Sequence, residues 1–327
     1  MTAVEDARQT APQFDRGAAR KVARQTRRQE SQAQKRLSSP LATVLAFAIG
    51  ILWTIPTLGL LITSFRPGAQ SATSGWWTVF TNPEFTLGNY QEALTSGGTA
   101  LTLGQSFLNS LAITIPTTIF ALAVAALAAY AFAWMDFKGR GILFVAIFAL
   151  QIVPIQMALV PLLTFFSRGL EINGVAIFPG LALRDVDHSF ATVWIAHTIF
   201  AMPLAIFLLH NFIAEIPSEV IEAARVDGAG HGQMFFRIIL PLATPAIASF
   251  AIFEFIWVWN DLLVATIFAP TSSLPMTQTL NSLTGSWGDK WYLLSAGAFL
   301  VLLVPLVVFF SLQRFFVRGL MAGATKG

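Results

Sequence analysis

Residues 216–241 read IPSEVIEAARVDGAGHGQMFFRIILP, a short polar segment between two long apolar stretches. Pro217 suits the start of a helix, because the N–H that proline lacks would have no partner there. Residues 218–227 favour helix, and Gly228 can adopt the left-handed conformation that ends one. Ala223 and Ala224 leave part of the helix surface without bulk. The pattern predicts a short, capped helix in a membrane loop that a partner surface can approach closely.

Composition places the rest of the chain in a lipid bilayer. Only 11% of the 327 residues are charged and 55% are hydrophobic, whereas soluble domains carry about 25% charged residues. So few charges do not cover a water-facing surface. Cysteine is absent, which excludes a disulfide framework, a thiol nucleophile and a cysteine-based metal site.

Six apolar stretches are long enough to cross a bilayer, since a span takes about 20 residues. They cover residues 41–63, 107–134, 142–166, 191–212, 240–268 and 293–316. A seventh run, 174–183, is too short and contains Pro179, which indicates an external loop or a re-entrant turn. We therefore predict an all-α polytopic membrane protein with six transmembrane helices. One membrane domain, 41–318, follows a basic tail, 1–40, and precedes a glycine-rich tail, 319–327.

Lysine and arginine are distributed unequally between the two sides of this predicted bundle. Sixteen of the twenty lie in the basic tail, the loop after the second span, the loop 214–239 and residues 314–327, and four lie in the other loops. Basic residues concentrate on the cytoplasmic side, so we expect both termini and the 214–239 loop there. The basic tail either attracts anionic lipid heads or only sets this orientation. The basic excess is confined to the tail and no aromatic platform accompanies it, so it does not favour nucleic-acid binding.

The polar segment matches a known motif in full. Glu222-Ala223-Ala224, three residues, Gly228, nine residues and then Ile238-x-Leu240-Pro241 is the EAA motif of the membrane subunits of ATP-binding-cassette (ABC) importers, and the predicted fold resembles their type I permeases. In that family this loop is a coupling helix that contacts a cytoplasmic ATPase. The resemblance implies ATPase docking through eight residues: Glu222, Ala223, Ala224, Asp227, Gly228, Ile238, Leu240 and Pro241.

The resemblance extends from about residue 105 to the end of the chain. It is carried by Asn109-Ser110, AAYAF at 128–132, FKGR at 137–140, WND at 259–261 and QRFFVRGL at 313–320. The sequence resembles the carbohydrate importer permeases, in particular their second membrane subunit, and within these the alpha-glucoside permeases, including those for glucosylglycerol. The C-terminal ATPase contact of that family would fall on Gly319, Gly323 and Lys326.

The family implies specific partners in a bacterial inner membrane. They are a related permease subunit in a heterodimer, two ATPase subunits and an extracytoplasmic sugar-binding protein. ATP and magnesium would bind the ATPase chains, and no cofactor or metal is expected on this chain, whose sequence contains no G-x-x-x-x-G-K-[ST] phosphate-binding loop.

Polar residues inside the predicted spans are candidates for a substrate path. Glu254, Trp257 and Asp261 are spaced to share one face of a helix, and ionisable groups in a span usually face a cavity or a partner. Carboxylates and an aromatic ring suit a sugar, but the same groups can also join neighbouring helices. Three further candidates are Asn260, Gln151 and Gln156.

Other polar and proline residues are given structural interpretations. His197 and His210 have no carboxylate or cysteine companions at metal spacing, so we expect hydrogen-bonded structural histidines. Pro241 and Pro245 follow the polar loop, and we expect a break or bend there.

Two alternative functions share this composition. One is an intramembrane enzyme that uses Asp261 or Glu254 with His197 as an acid–base pair, and the other is a passive channel. Neither requires the full EAA spacing, so the sequence favours a transport subunit. The sugar carried, and whether this subunit contacts it, stay open.

Overall fold

The computed structural model describes residues 40–95, 101–172, 175–179, 190–283 and 290–324. The basic tail, apart from Pro40, and residues 325–327 with Lys326 therefore lie outside the described residues. The chain divides into two compact units, 1–59 and 60–327. Helix α1 (Pro40–Phe65) begins in the first unit and ends in the second.

Long apolar helices dominate the described residues. Five are long and apolar enough to cross a membrane: α1, α4 (Leu103–Trp134), α7 (Ala191–Ala214), the helix His231–Asn260, and Trp291–Gln313 within α13 (Trp291–Ala324). The shorter helices are α2 (Gly68–Thr73), α3 (Gly88–Thr95), α8 (Ser218–Val226), α11 (Leu263–Phe268) and α12 (Met276–Ser282). The helical membrane class predicted from the sequence is confirmed.

The third predicted span, 142–166, is not one continuous helix. Helix α5 (Arg140–Ala149), extended by the 3₁₀ turn Leu150–Ile152, meets α6 (Ile155–Arg168) at an angle of 109°. The break lies at Val153, which has φ −73° and ψ 119°. The cause is Pro154, because proline forces the residue before it out of the helical region. The pair forms either one broken span or a re-entrant segment.

A small β-hairpin follows α6. Strand β1 (Gly169–Ile172) pairs antiparallel with β2 (Val175–Pro179). The described part of the predicted 174–183 run is therefore a strand, and 180–183 lie outside the described residues. Gly169 turns the chain out of α6 with a φ of 78°.

The fifth span differs from the prediction at both ends. Helix α9 (His231–Met234), a π turn (Phe235–Ile239) and α10 (Leu240–Asn260) form one continuous helix, which ends before the predicted limit at 268. No break occurs at Pro241 or Pro245. The irregularity is the π turn, in which the Leu240 N–H donates to the Phe235 carbonyl. This wider turn comes directly before Pro241, which has no N–H to continue the regular pattern.

The C-terminal segment is also more regular than predicted. Helix α13 runs to Ala324, so Gly319 and Gly323 are helical and the glycine-rich tail predicted from residue 319 begins within a helix. A glycine in a helix costs about 1 kcal/mol relative to alanine. The neighbouring Leu320, Met321 and Ala322 are good helix formers, which favours continuation.

Close packing of α4 against α7 forms the centre of the bundle. Ala121, Ala125 and Ala129 of α4 and Ala205 of α7 are fully buried. Small side chains let membrane helices approach closely. At one end this packing continues into a cluster with Leu209, α8 and the π turn.

At the opposite end, α4 holds the segment that leads into α12. The Ser106 and Thr279 hydroxyls lie 2.6 Å apart, the Asn109 amide donates to the Leu274 carbonyl at 3.2 Å, and the Ser110 hydroxyl accepts from the Met276 N–H at 2.8 Å. The Asn109-Ser110 pair is thus a helix-to-loop anchor.

A buried arginine organises the segment after α1. Arg66 is 1% exposed, and its guanidinium donates to the carbonyls of Ser74 and Gly75 and to the hydroxyls of Ser74 and Thr78, at 2.7–3.2 Å. The Asn89 amide donates to the carbonyls of Ser64 and Arg66. The described residues between α1 and α4 therefore contain ordered structure.

Replacing Arg66 with alanine should loosen residues 68–80. Hydrogen bonds from a charged group are worth about 1.5–3 kcal/mol each, so we expect thermolysin to cleave near Trp77 and Phe80 about tenfold faster in the purified, detergent-solubilised chain. Thr73→Ala changes an exposed side chain of the same segment and serves as the control. Equal cleavage of both variants would contradict the anchoring role.

Candidate functional site

Helix α8 forms where the sequence predicts it and ends through its glycine. Gly228 has a φ of 79°, its N–H donates to the Arg225 carbonyl, and the Ala229 N–H donates to the Ala224 carbonyl. This pair of bonds is a Schellman motif, which satisfies carbonyls that the helix end would leave open. The left-handed residue allows the chain to reverse towards His231.

The two faces of α8 differ sharply. Ile221 and Ala224 are 1% and 7% exposed and belong to the core cluster with α4 and α7. Ala224 therefore packs inside the subunit, and its small size serves that packing instead of the partner face suggested by the sequence.

The outer face of α8 is formed by residues three or four positions apart, which lie together on a helix. They are Glu219, Glu222, Ala223 and Val226, all exposed. Val226 is 87% exposed, and sequence reasoning missed it. The spacing could have predicted this position, because Val226 lies four residues after Glu222 and three after Ala223 and therefore shares their face of the helix. An exposed apolar side chain flanked by acidic ones is suited to a protein contact.

Hydrogen bonds connect α8 to the ends of two long helices. The Arg225 guanidinium donates to the Trp134 carbonyl at 3.1 Å, and the Trp134 indole N–H donates to the Ile213 carbonyl at 3.1 Å. The last carbonyls of a helix have no partner within it and attract cations. Arg225 thus holds α8 at the C-terminal end of α4, and Trp134 connects that end of α4 to α7.

A third connection reaches the helix that follows the loop. The Tyr130 hydroxyl lies 2.9 Å from His231 Nδ1, and the Tyr130 ring packs against Phe235 in the π turn with centroids 5.5 Å apart. Through these contacts α8, α4, α7 and His231–Asn260 meet at one end of the bundle. These contacts therefore connect α8, directly or through Trp134 and Tyr130, to three of the long helices.

The remaining motif residues separate into two groups. Asp227, Gly228 and Pro241 are exposed. Ile238 and Leu240 are only partly exposed and pack against the core cluster. The second half of the motif thus joins the loop to its own subunit.

Halfway along the bundle, three of the predicted polar candidates line one cavity. Its volume is about 130 Å³, and its lining includes Gln151, Glu254 and Trp257. Glu254 is 1% exposed, and its Oε1 has no hydrogen-bond partner in the structure. Gln156 is exposed and lies outside this lining.

Asp261 does not share a helix face with Glu254 and Trp257, as the sequence predicts, and Asn260 does not line the cavity. The helix ends at Asn260, whose amide donates to the Ile256 carbonyl. The Asp261 carboxylate accepts the N–H groups of Val264 and Ala265 at 3.3 and 2.9 Å. Asp261 therefore caps α11, and this capping requires it to leave the regular helix.

His197 lies closer to a carboxylate than the sequence suggested. Its Nε2 is 3.5 Å from Asp261 Oδ2, and its ring contacts Trp257 edge-on. Neither ring nitrogen has a hydrogen-bond partner in the structure, and Nδ1 of His210 also has none. The expectation of fully hydrogen-bonded histidines is therefore wrong. Within the described ranges, no three acidic or histidine side chains form a group that could hold a metal ion.

Comparison with known proteins identifies close relatives. A family model described as the binding-protein-dependent transport system inner membrane component matches residues 121–321. The chain is 47% identical over 289 residues to the osmoprotective compounds uptake permease protein GgtD of Synechocystis sp., covering 86% of this chain and 91% of that protein. It is 48% identical over 254 residues to the alpha-glucoside transport system permease protein AglG of Rhizobium meliloti, covering 77% of this chain and 63% of that protein.

A solved structure has the same fold. It is a bacterial ABC transporter involved in the import of the acidic polysaccharide alginate, with a TM-score of 0.65 and 18% identity, covering 86% of this chain and 96% of that one. At that identity the likeness concerns the fold alone.

Tyr130→Phe should weaken the contact to the helix that begins at His231. The variant loses one hydrogen bond, worth about 1 kcal/mol, so the thermal midpoint of the solubilised chain should fall by about 2–4 °C. His231→Ala should then add little in the Tyr130→Phe background. Tyr292→Phe, at a half-buried tyrosine whose hydroxyl lies 3.5 Å from Glu92, is the matched control. Additive losses would contradict the Tyr130–His231 connection.

Proposed function

The chain belongs to the family of binding-protein-dependent transport system inner membrane components, and we propose that it forms one membrane half of an importer for alpha-glucosides or related oligosaccharides. It is a permease subunit of an ABC sugar importer family, an inner-membrane transport subunit and not an enzyme. The names of the relatives GgtD and AglG, one for osmoprotective compounds and one for alpha-glucosides, support this substrate class.

The proposed partners are a related permease subunit, two ATPase subunits and an external sugar-binding protein. The family description, which names dependence on a binding protein, supports the last of these. We place both termini and α8 in the cytoplasm, and the distribution of lysine and arginine supports this orientation. ATP and magnesium then belong to the ATPase subunits.

The observation that carries the proposal is the construction of α8. Its outer face carries the exposed residues Glu222, Ala223 and Val226, while its inner face lies in the core. A helix built in this way can receive a push from a partner and pass it to its own subunit. Asp227 and Gly228 complete the docking segment. The second half of the motif joins that segment to the helix that continues to the cavity, through Ile238, Leu240 and Pro241.

Movement would spread through the contacts at the cytoplasmic end. Arg225 would displace the end of α4, Trp134 would carry α7 with it, and Tyr130 would move with His231. The helix from His231 to Asn260 is continuous, so a tilt at its start reaches Glu254. The cavity there would thus change shape when the ATPase subunits close.

We assign the substrate path in this subunit to Glu254, Trp257 and Gln151. A carboxylate and an amide can bond sugar hydroxyls, and an aromatic ring can cover the C–H face of a sugar ring. The other candidates from the sequence would have lesser roles. Asn260 and Asp261, where the helix ends, would shape the end of this path, and Gln156 would lie beside the path.

Ala223→Trp should uncouple transport without preventing membrane insertion. The indole would hold the ATPase away from the outer face of α8. Sugar-stimulated ATP hydrolysis by the assembled complex should fall about tenfold or more, since each 1.4 kcal/mol of lost docking energy is about a factor of ten in affinity. Ala214→Trp makes the same substitution at an exposed alanine that ends α7, outside α8, and should keep most of the activity. Wild-type stimulation in Ala223→Trp would contradict the docking assignment.

The end of α13 should also contribute to the ATPase contact. We expect removal of residues 319–327, which include Gly319, Gly323 and Lys326, to lower ATPase activity or the yield of assembled complex, because α13 extends the chain beyond its apolar part at Gln313. Removal of residues 325–327 alone separates the contribution of Lys326. Unchanged uptake after the longer deletion would show that the segment makes no contact of consequence.

A further inference from the structure

An apolar groove lies on the surface between α3, the end of α1 and α13. Its volume is about 380 Å³. One wall consists of Phe65, Leu87 and Tyr90, and the other consists of four leucines and one phenylalanine between Phe299 and Leu306. The second wall belongs to the middle of the 23-residue part of α13 that is long and apolar enough to cross a membrane. The groove therefore lies at the depth of the lipid hydrocarbon.

The first wall is fixed by contacts with the end of α1. The buried Asn89 amide donates to the carbonyls of Ser64 and Arg66 at 2.9 and 2.7 Å, and the rings of Phe65 and Tyr90 pack with centroids 5.1 Å apart. The Tyr90 hydroxyl lies 2.7 Å from the Ser64 hydroxyl. The one polar side-chain group of the lining thus has a partner inside the subunit, and the groove suits an apolar ligand instead of a sugar.

The rim of the groove continues into the surface that α13 presents to the bilayer. Leu87 and Leu303, on opposite walls, are 71% and 57% exposed. Beyond the groove, Val307 and Phe310 of α13 are 56% and 61% exposed. Hydrocarbon can therefore enter the groove from the side, without passing through the bundle.

The size of the groove distinguishes a lipid chain from a protein helix. From Phe299 to Leu306 the wall of α13 is about 10 Å long, at a rise of about 1.5 Å per residue. A helix with its side chains is about 10–12 Å across, so 10 Å of helix fills about 800–1,100 Å³, which is more than the groove holds. A hydrocarbon chain is one carbon wide and contacts its neighbours at about 3.5–4.0 Å, so it fits.

Charges at the end of the groove nearest the start of α13 are mainly acidic. Residues 67–95 contain two glutamates and no lysine or arginine. The Glu92 carboxylate lies 3.5 Å from the Tyr292 hydroxyl, and Tyr292 precedes Phe299 by seven residues, on the same face of α13. Lys290 precedes Phe299 by nine residues, which is about two and a half turns and therefore the opposite face. A headgroup with a positive amine complements the charge of Glu92.

We propose that the groove binds one acyl chain of a membrane phospholipid with an amine-bearing headgroup, in the leaflet on the side opposite α8. Arg225 of α8 contacts the C-terminal end of α4, whereas Leu103, the first residue of α4, belongs to the core cluster against which Tyr90 packs. The acyl chain lies along the α13 wall, and the headgroup lies near Glu92. This lipid site is separate from the sugar path and goes beyond the proposed function.

Photolabelling in nanodiscs locates the bound chain directly. The assembled transporter is placed in phosphatidylcholine nanodiscs with a trace of phosphatidylethanolamine whose acyl chain carries a diazirine, and mass spectrometry maps the adducts on this chain after illumination. Adducts should concentrate at residues 299–306. Leu303→Trp should lower them about tenfold, because the indole fills the groove. Leu108→Trp, at a leucine of α4 that is 64% exposed and outside the lining, is the matched control and should leave them unchanged.

The headgroup is tested with a second probe. Phosphatidylglycerol with the same diazirine chain should label residues 299–306 about threefold less than the phosphatidylethanolamine probe, because the Glu92 carboxylate repels a headgroup with a net negative charge. Glu92→Gln should make the two probes equal. Asp136→Asn, at an exposed acid beyond the other end of α4, should keep the difference.

Three results would overturn the lipid site: adducts spread evenly over the exposed parts of α4 and α13, unchanged adducts in Leu303→Trp, or equal labelling by the two probes with native Glu92. If Leu303→Trp fails to assemble, Leu303→benzoylphenylalanine replaces it. A cross-linked product with the added mass of a phospholipid supports the site, whereas a cross-link to a helix of another protein chain refutes it. Neither sugar nor ATP is needed for these measurements, so their failure leaves the proposed function intact.

Discussion

The close packing of α4 against α7 supports the rest of the membrane bundle. Alanines at the contact let the two backbones approach without large side chains between them, and each end of α4 then holds a different functional region. At one end Trp134 accepts a hydrogen bond from Arg225 of α8, and Tyr130 contacts His231. At the other, Ser106, Asn109 and Ser110 hold the segment leading into α12. Helix α4 therefore connects the contacts at the two ends of the bundle.

Backbone hydrogen bonding decides where this bundle departs from regular helices. In a bilayer every backbone polar group needs an internal partner, so each irregularity comes with its own solution. The π turn before Pro241 shifts the bonding pattern by one residue, the break at Val153 precedes Pro154, and Asp261 supplies acceptors for the first N–H groups of α11. These departures lie close in sequence to α8 and to the residues that line the cavity at Glu254.

Hydrogen-bond partners also distinguish the polar side chains that hold the fold together from those that are available to a ligand. Asp261, Asn109 and Arg66 have backbone partners and hold loops in place. Glu254 has an oxygen without a partner and faces a cavity. Residue type does not distinguish Asp261 from Glu254, because both are carboxylates of the same predicted span. Their neighbours distinguish them.

The sequence by itself determined the membrane class, the approximate positions of the long helices, and the short helix α8 with its glycine cap. These follow from the length of apolar runs and from local preferences of proline and glycine, which act over a few residues. Only the tertiary structure decided that Ala224 is buried and Val226 is exposed, and that α5 and α6 meet at a sharp angle. It also decided that Asp261 caps α11 and does not share a face with Glu254, and that Gln151 lines the same cavity as Glu254. The reason is that burial and hydrogen-bond partners depend on which helices meet. These contacts join residues that are 91 to 173 positions apart in the sequence.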